Sequence, residues 1–285
     1  AVKARVTLVE KHRMGGDCLN TGCVPSKALI RSAKLLSHIA RAREFGIAEA
    51  TARFDFAEVM ERVQRIIRTV EPHDSVERYS QLGVDVVEGA ARIVSPWQVE
   101  ISRHDGTTQT LSTRSIVIAT GARPFVPPLP GIDEVGYLTS DTVWDLRQLP
   151  RRLLVLGGGP IGCELTQAFA RLGAQVTQVE RGPRIMPRED PEVSAMVAER
   201  FRAEGVRLLL EHQAKEFVIE QGEKILVAEH AGSAVRIPFD GLLVALGRVG
   251  NLSGYGLEEL GIGGERTVAI NEFLQTRYPN IYAAG

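Results

Sequence analysis

RLLVLGGGPIGCELTQAFARLGAQVTQVE, residues Arg152–Glu180, decides the fold of this chain. Arg152 to Leu156 is a short apolar run of the kind that forms a buried parallel strand. Gly157, Gly159 and Gly162 follow in the spacing G-x-G-x-x-G, and the stretch to Leu172 reads as a helix. Gln175 to Glu180 reads as the next strand, ending in an acid. The three glycines play different parts. Gly157 permits the tight turn, Gly159 admits a pyrophosphate to the backbone, and Gly162 lets the helix lie close to the strand. Glu180 stands where a carboxylate can bind both ribose hydroxyls. The glycines alone are a common pattern; with a strand before, a helix after and the acid in place, they predict a dinucleotide site. The carboxylate repels a 2′-phosphate and so favours NADH over NADPH, while Arg181 and Arg184 are cations that can hold that phosphate.

Upstream, Pro124–Gly131 (PFVPPLPG) is semi-rigid and suits a domain boundary. Before it, Val84 to Ile118 breaks into the apolar runs VDVV, ARIV, WQVEI and SIVIA, with Asp105-Gly106 as a hairpin turn. This pattern predicts a small antiparallel meander and a return strand. That strand closes on Thr120-Gly121, at the strand end where a ligand crevice is expected; a plain turn before the linker would read the same way. Val2 to Glu10 reads as a buried strand, and Glu10 as either a ribose-binding acid or an ordinary strand-end acid. Ala57 to Leu82 reads as a helix kinked near Pro72. Downstream, a helix is expected over Pro191 to Ala203, with strands near Val206, Phe217, Ile225 and Val235. Leu242 to Leu246 reads as a buried strand running into Gly247-Arg248, and Val268 to Ala283 returns to a strand-like pattern.

The chemistry concentrates in GGDCLNTGCVPSK, residues Gly15–Lys27. The alanine-rich run Ala28 to Phe45 reads as an amphipathic helix, with Pro25 in its first turn. Both sulfurs then lie at or just before a helix N-terminus, where the partial positive charge and Lys27 favour a thiolate. In a regular helix, residues five apart have Cα atoms roughly 8–9 Å apart, and a disulfide tolerates about 7 Å. Pairing Cys18 with Cys23 therefore needs an irregular turn, which Asn20 and Gly22 can supply. Two unrelated thiols or half of a zinc site remain alternatives, although the third cysteine, Cys163, is remote.

The chain has 285 residues, 44% hydrophobic and 24% charged, with a formal net charge of −1, which fits two ordinary globular domains and gives no reason to expect a nucleic-acid partner. Three cysteines do not staple a secreted scaffold. No apolar run reaches membrane-spanning length, and no signal peptide is visible, so a cytoplasmic location is expected, with room for a membrane segment beyond either end. The six histidines have no ligand-like spacing, and no metal site is expected.

GGDCLNTGCVPSK, IATGARP, GGGPIGCE, ALGR and RYPNIYAAG occur in the order seen in the flavin-dependent pyridine nucleotide–disulfide oxidoreductases, which the whole chain resembles. FVPPLPGID and PREDPEVS are most similar to the mercuric reductase and dihydrolipoamide dehydrogenase-like branch. The resemblance implies an α/β fold of two Rossmann-like dinucleotide-binding domains, each three-layered with a parallel sheet and an antiparallel meander. The NAD(P) domain, 126–245, would be inserted into a discontinuous FAD domain, 1–125 and 246–285. It implies Cys18 as the thiol that meets substrate, Cys23 as the thiol stacked on the flavin, and a buried Lys27 beside flavin N5, paired with Glu164. For FAD it implies Glu10, Lys11, Gly15, Gly16, Asp17, Cys18, Lys27, Ala91, Thr120, Gly121 and Arg248. For the nicotinamide nucleotide, NAD(H) in preference to NADP(H), it implies Gly157, Gly159, Ile161, Gly162, Glu164, Glu180, Arg181, Ala214 and Gly247. Cys163 matches no redox position.

The implied activity carries electrons between NAD(P)H, FAD and a Cys18–Cys23 disulfide to a small-molecule or protein disulfide. The alternatives are a mercuric reductase-like metal reductase and a non-catalytic redox sensor; a simple NAD-dependent alcohol dehydrogenase leaves the cysteines unexplained. The family's first glycine-rich FAD turn, its C-terminal dimerisation domain and the acid after YAxG fall outside this stretch. The expectation is therefore a piece of a longer homodimeric enzyme that by itself binds FAD poorly.

Overall fold

The computed structural model describes residues 4–264 and 266–285, so Val2 and Lys3 of the expected first strand lie outside it. The chain opens with β1 (Val6–Glu10), α1 (Gly16–Asn20), α2 (Cys23–Ala40), α3 (Phe56–Val70) and α4 (Val76–Gln81). Strands β2 (Val84–Ser95), β3 (Gln98–Arg103), β4 (Thr108–Ser112), β5 (Ile116–Ile118) and β6 (Ala122–Pro124) follow, then α5 (Ile132–Val135). Next come β7 (Arg152–Leu156), α6 (Pro160–Arg171), β8 (Gln175–Val179), α7 (Pro191–Ala203) and β9 (Arg207–Leu209). The last strands are β10 (Gln213–Glu220), β11 (Glu223–His230), β12 (Ser233–Phe239), β13 (Gly241–Val244), β14 (Arg248–Gly250) and β15 (Ile281–Ala283). Contacts divide the chain into two compact units: Ala1–Asn20, Arg68–Arg123 and Arg248–Gly285 form the first, Thr21–Ile67 and Pro124–Gly247 the second.

The second unit is built on a parallel sheet of order β13-β7-β8-β9. Successive residues of a strand point to opposite faces, and β7 uses this directly. Leu153 and Val155 join one core cluster with Ala28, Leu29 and Ala33 of α2, Met60 and Val63 of α3, and Leu165 and Phe169 of α6. Leu154 and Leu156 join another with Phe217, Leu226, Ile237 and Phe239 of the antiparallel meander β10-β11-β12. Helices, parallel sheet and meander are thus three layers of an α/β dinucleotide-binding fold. Because α2 buries its alanine face in the α6 layer, residues 21–67 pack with this unit, whereas the expected boundaries at 125 and 246 left them with the other domain. Helix α6 starts with Pro160 at its first position and stops at Gly173 (φ +100), with Gly173 N and Ala174 N donating to the carbonyls of Ala170 and Phe169.

In the first unit, β1 pairs in parallel with the first half of β2, Val6 to Glu10 against Val84 to Glu88, and β3 pairs antiparallel with the second half from Gly89 onward. β4 extends this sheet, and β5 pairs in parallel with β15. VDVV and ARIV are therefore one strand that changes partner at Gly89, where a Cβ would run into the Ser102 carbonyl. The kinked helix expected over 57–82 is two helices. Pro72 lacks the N–H to continue α3, a 3-10 turn fills Glu71–Asp74, and Ser75 Oγ accepts from Arg78 N at 3.1 Å to start α4. The strand-like stretch from Val268 pairs as a strand only at Ile281–Ala283, because Asn271 Oδ1 takes Phe273 N and Gln275 N at 3.0 Å each and folds a turn.

Candidate functional site

The fingerprint turn sits at the C-terminal end of β7, the end at which open α/β sheets hold ligands. Gly157 has φ +114, and a Cβ there would be driven into the Ala245 carbonyl oxygen. At Gly162 a Cβ would meet the Gly157 carbonyl, which is the close helix–strand approach that this glycine was expected to permit. At Gly159, the cap of α6, a Cβ would meet nothing within 4 Å. A cradle of open backbone at a helix N-terminus fits a dinucleotide pyrophosphate. Glu180 is half-buried and closes the turn: Oε2 accepts from Gly158 N and Oε1 from Gly182 N, both at 2.7 Å. Arg184 spends its guanidinium on the carbonyls of Glu189 and Pro187, each at 2.7 Å, whereas Arg181 is exposed. Ile161 is exposed on the first turn of α6, Ala214 lies at a bulge in β10 opposite Ala228, and Gly247 (φ +98) accepts from Phe125 N at 2.9 Å.

Cys23 is exposed and is the first residue of α2, and Lys27 lies one turn further along. Trp144 Nε1 donates to the Thr21 carbonyl at 2.9 Å and the Ser140 carbonyl at 2.6 Å, anchoring the backbone just before this helix. Lys27 Nζ meets Glu164 Oε2 of α6 at 2.6 Å. The pairing is as expected, but the burial is not: the two side chains are 60% and 43% exposed. They project from the N-terminal turns of α2 and α6, beyond the interface where Ala28, Leu29 and Leu165 are buried.

In the first unit Cys18 is exposed and is the third residue of the short helix α1. Left-handed Gly15 (φ +85) and Gly16 (φ +54) turn the chain into α1, and Asn20 Nδ2 closes it by donating to the carbonyls of Met14 and Gly16, both at 2.9 Å. Asp17 Oδ2 pairs with Arg248 at 2.6 Å, and the same guanidinium donates to the Ala122 carbonyl. Gly121 (φ +70) lies against this pair, since a Cβ there would be 4.0 Å from Asp17 Oδ2. Thr120 Oγ1 reaches the Asn251 carbonyl at 3.0 Å and the Tyr255 hydroxyl at 2.9 Å, and burial pushes the Tyr255 phenol above its ordinary pKa. Asp17, Thr120, Gly121 and Arg248 therefore come together, and their hydroxyl, carboxylate and guanidinium groups suit the hydroxyls and phosphates of a dinucleotide. Glu10 and Ala91 are placed on β1 and β2: Glu10 Oε1 accepts from His12 N at 2.7 Å, Ala91 stands opposite Ile101, and Lys11 is exposed.

Beneath the fingerprint lie Cys163, which the sequence reading matched to no redox position, and Gln178, which it did not single out. Gln178 and Cys163 both bond to the glycine turn. β8 reads QVTQV, with polar Gln175 and Thr177 beside Gln178, so the sequence offered no signal that singled out Gln178, and Cys163 gave none beyond following Gly162.

The model of the pyridine nucleotide-disulphide oxidoreductase family matches residues 1–285. Mercuric reductase of Streptomyces lividans is 37% identical over 284 residues, 98% of this chain and 60% of the relative. Dihydrolipoyl dehydrogenase of Chlamydia pneumoniae is 32% identical over 288 residues, 99% of this chain and 60% of the relative. Among solved structures, LpdA from Mycobacterium tuberculosis aligns with a TM-score of 0.88 at 26% identity, over 100% of this chain and 62% of its own. The HOCl-induced flavoprotein disulfide reductase RclA from Escherichia coli aligns with a TM-score of 0.83 at 28% identity, over 99% of this chain and 60% of its own. The chain spans 45% to 61% of the length of the curated relatives it matches. By sequence along its whole length, and by a fold that its glycines and buried strands explain, it belongs to the pyridine nucleotide-disulphide oxidoreductase family.

Proposed function

We propose that this chain supplies the dinucleotide-binding parts of an FAD-dependent NAD(P)H:disulfide oxidoreductase whose redox-active pair is Cys18 and Cys23. The observation that carries this reading is the Lys27–Glu164 pair, which ties the helix opening on Cys23 to the helix opening on the glycine cradle. FAD, when bound, supplies two-electron transfer between the nicotinamide and the cysteine pair. Asp17, Thr120, Gly121 and Arg248, with Glu10, Lys11, Gly15, Gly16 and Ala91, hold that group. Gly157, Gly159, Ile161, Gly162 and Glu180, with Arg181, Ala214 and Gly247, hold the nicotinamide nucleotide. The FAD-binding domain is 1–125 with 246–285, and the NAD(P)-binding domain is 126–245.

Cys23 stands at the first position of α2, and Lys27 lies one turn further along the same helix. An electron pair and two protons convert the Cys18–Cys23 disulfide to two thiols. The Cys18 thiolate then attacks a substrate disulfide and expels one substrate thiol. Cys23 displaces the second, re-forming the Cys18–Cys23 bond. Support for NADH over NADPH comes from the carboxylate of Glu180 at the ribose position and from Arg184, whose guanidinium is committed to backbone carbonyls. A cytoplasmic homodimer completes the reading; no helix among the described residues is long and apolar enough to cross a membrane.

An anaerobic NADH titration of the FAD-loaded full-length protein, with free thiols counted, tests the proposal. Two new thiols that Cys23→Ser abolishes are expected, with tighter binding of NADH than NADPH. Flavin reduction without new thiols would leave a redox sensor or a plain NADH oxidase. Assays with a dithiol–disulfide couple and with Hg(II) then separate the dihydrolipoamide dehydrogenase-like reading from the mercuric reductase-like one, which the relatives keep open.

A further inference from the structure

The polar groups of Gly157 and Gly158 are all engaged within the protein. Gly157 N donates to the Val179 carbonyl at 2.9 Å, and the Gly157 carbonyl accepts from Gln178 Nε2 at 3.0 Å. Gly158 N donates to Glu180, and the Gly158 carbonyl accepts from Met186 N at 2.6 Å and from the Cys163 thiol at 3.4 Å. Gln178 Nε2 also lies 3.7 Å from Cys163 Sγ, so the two side chains form one bonded patch under the turn. The orientation of the amide follows from chemistry: a carbonyl can only accept, so the Gln178 atom facing Gly157 is the nitrogen.

Gln178 is an expensive residue for this place. It is 0% exposed in β8, between the buried Val176 and Val179, and its Oε1 has no partner among the described residues. A buried acceptor without a partner costs stability that an aliphatic side chain would not. What Gln178 provides in return is a donor for the Gly157 carbonyl. Cys163 is 5% exposed, and burial pushes its thiol up to about 11, so it stays protonated and can donate.

We propose that Gln178 and Cys163 are positioning residues that fix the Gly157–Gly158 peptides from below, so that the cradle at Gly159 and the N-terminus of α6 is already shaped for a nicotinamide dinucleotide pyrophosphate. The inference rests on the nucleotide reading of Arg152–Glu180 and adds two side chains that never touch the ligand. Neither residue is one of the three fingerprint glycines, and both are buried. They act through the two peptides that the glycines leave free to rotate.

The test is direct binding of NADH to the full-length protein, read by titration calorimetry alongside the melting temperature and FAD affinity. Gln178→Met keeps the volume and removes the donor; the NADH dissociation constant is expected to rise about 3- to 10-fold, the range of one lost hydrogen bond, with FAD affinity unchanged. In turnover the KM for NADH rises by the same factor while kcat at saturation holds. Cys163→Ala is expected to weaken NADH about 2- to 3-fold, and Cys163→Ser, which keeps a donor, restores affinity. If Gln178→Met does not fold, the Cys163 pair carries the test. Unchanged NADH affinity in both Gln178→Met and Cys163→Ala overturns the proposal. So does a loss that FAD affinity and melting temperature share in proportion, since that is a general packing defect. A wild-type protein that binds FAD but no NADH instead removes the nucleotide reading, and the proposal with it.

Discussion

Glu180 in the second unit and Glu10 in the first both end a parallel strand, yet they are held very differently. Glu180 is half-buried and grips two backbone N–H groups, Gly158 in the fingerprint turn and Gly182 in its own loop. Glu10, half-buried as well, accepts among the described residues from His12 N, two residues on. The difference lies in what each strand end has beside it. β7 delivers a glycine turn directly against Glu180, and the acid becomes one of its struts. β1 pairs with β2 at Glu10↔Glu88, and its acid only caps the local turn. The same residue type at a strand end thus braces a glycine turn in one unit and caps its own local turn in the other.

The largest effect should come from removing the turn that makes Glu180 a strut. Gly157→Ala puts a side chain at φ +114 and against the Ala245 carbonyl. Left-handed strain and overpacking together are expected to cost more than about 3 kcal/mol, read as a lower urea midpoint of the second unit with NADH binding lost. A variant of wild-type stability would show that the turn is looser than its contacts imply, and the contrast with Glu10 would weaken.

The second contrast is between ion pairs. In the second unit Glu204 ties α6 to the end of α7: Arg171 reaches its two oxygens at 2.8 and 3.0 Å, Arg200 adds a bond at 2.7 Å, and the Arg171 and Glu204 side chains are 16% and 12% exposed. In the first unit Asp17 and Arg248 are more open, at 52% and 24%. Glu204→Gln is expected to cost about 2 kcal/mol, and Asp17→Asn less than about 1 kcal/mol, both by urea denaturation. pH adds a sign. Burial raises the Glu204 pKa, but the Arg171 and Arg200 partners outweigh it and hold the carboxyl below its ordinary value. A depressed folded pKa gives stability that is complete above the unfolded value, near 4.3–4.5, and is lost as pH falls through the folded one. Wild type should therefore lose more stability between pH 6 and pH 3.5 than Glu204→Gln does. Parallel pH curves would exclude Glu204 as a source of acid sensitivity.

The second unit was also the more legible in the sequence. Arg152–Glu180 and Pro191–Ala203 carry their instructions locally: an apolar run for the strand, proline at the first helical position, glycine after the last. The first unit depends on pairings that local patterns do not encode. Nothing in VDVVEGAARIVS announces that β1 pairs with its front half and β3 with its back half, so one strand reads as two. Asn271 folds a turn into a stretch whose composition suits a strand. At the site, motif and resemblance located Lys27 and Glu164, but the exposure of that pair depends on where α2 and α6 stop packing, a tertiary fact. Gln178 was missed because its value depends on a carbonyl 21 positions away in sequence.

The smallest effect, that of Glu10→Gln, is the most informative about the opening contrast when set beside Glu180→Gln. Glu180→Gln removes the charge from an acceptor of two backbone N–H groups. Hydrogen bonds to charged groups are worth about 1.5–3 kcal/mol each, but the amide oxygen keeps one of them, so a loss of about 1–2 kcal/mol is expected, together with weaker NADH binding. Glu10→Gln removes the charge from an acceptor of one N–H in an open turn, and less than about 0.5 kcal/mol should be lost. Thermal melts of the two variants measure the difference, and FAD titration adds the functional half. If Glu10 binds a ribose, Glu10→Gln leaves the melting temperature where it was and weakens FAD; if it is only a cap, neither moves. Equal destabilisation by both variants would mean that the acid, not the glycine turn beside it, sets the strength of this strand end, and the contrast between the two units would collapse.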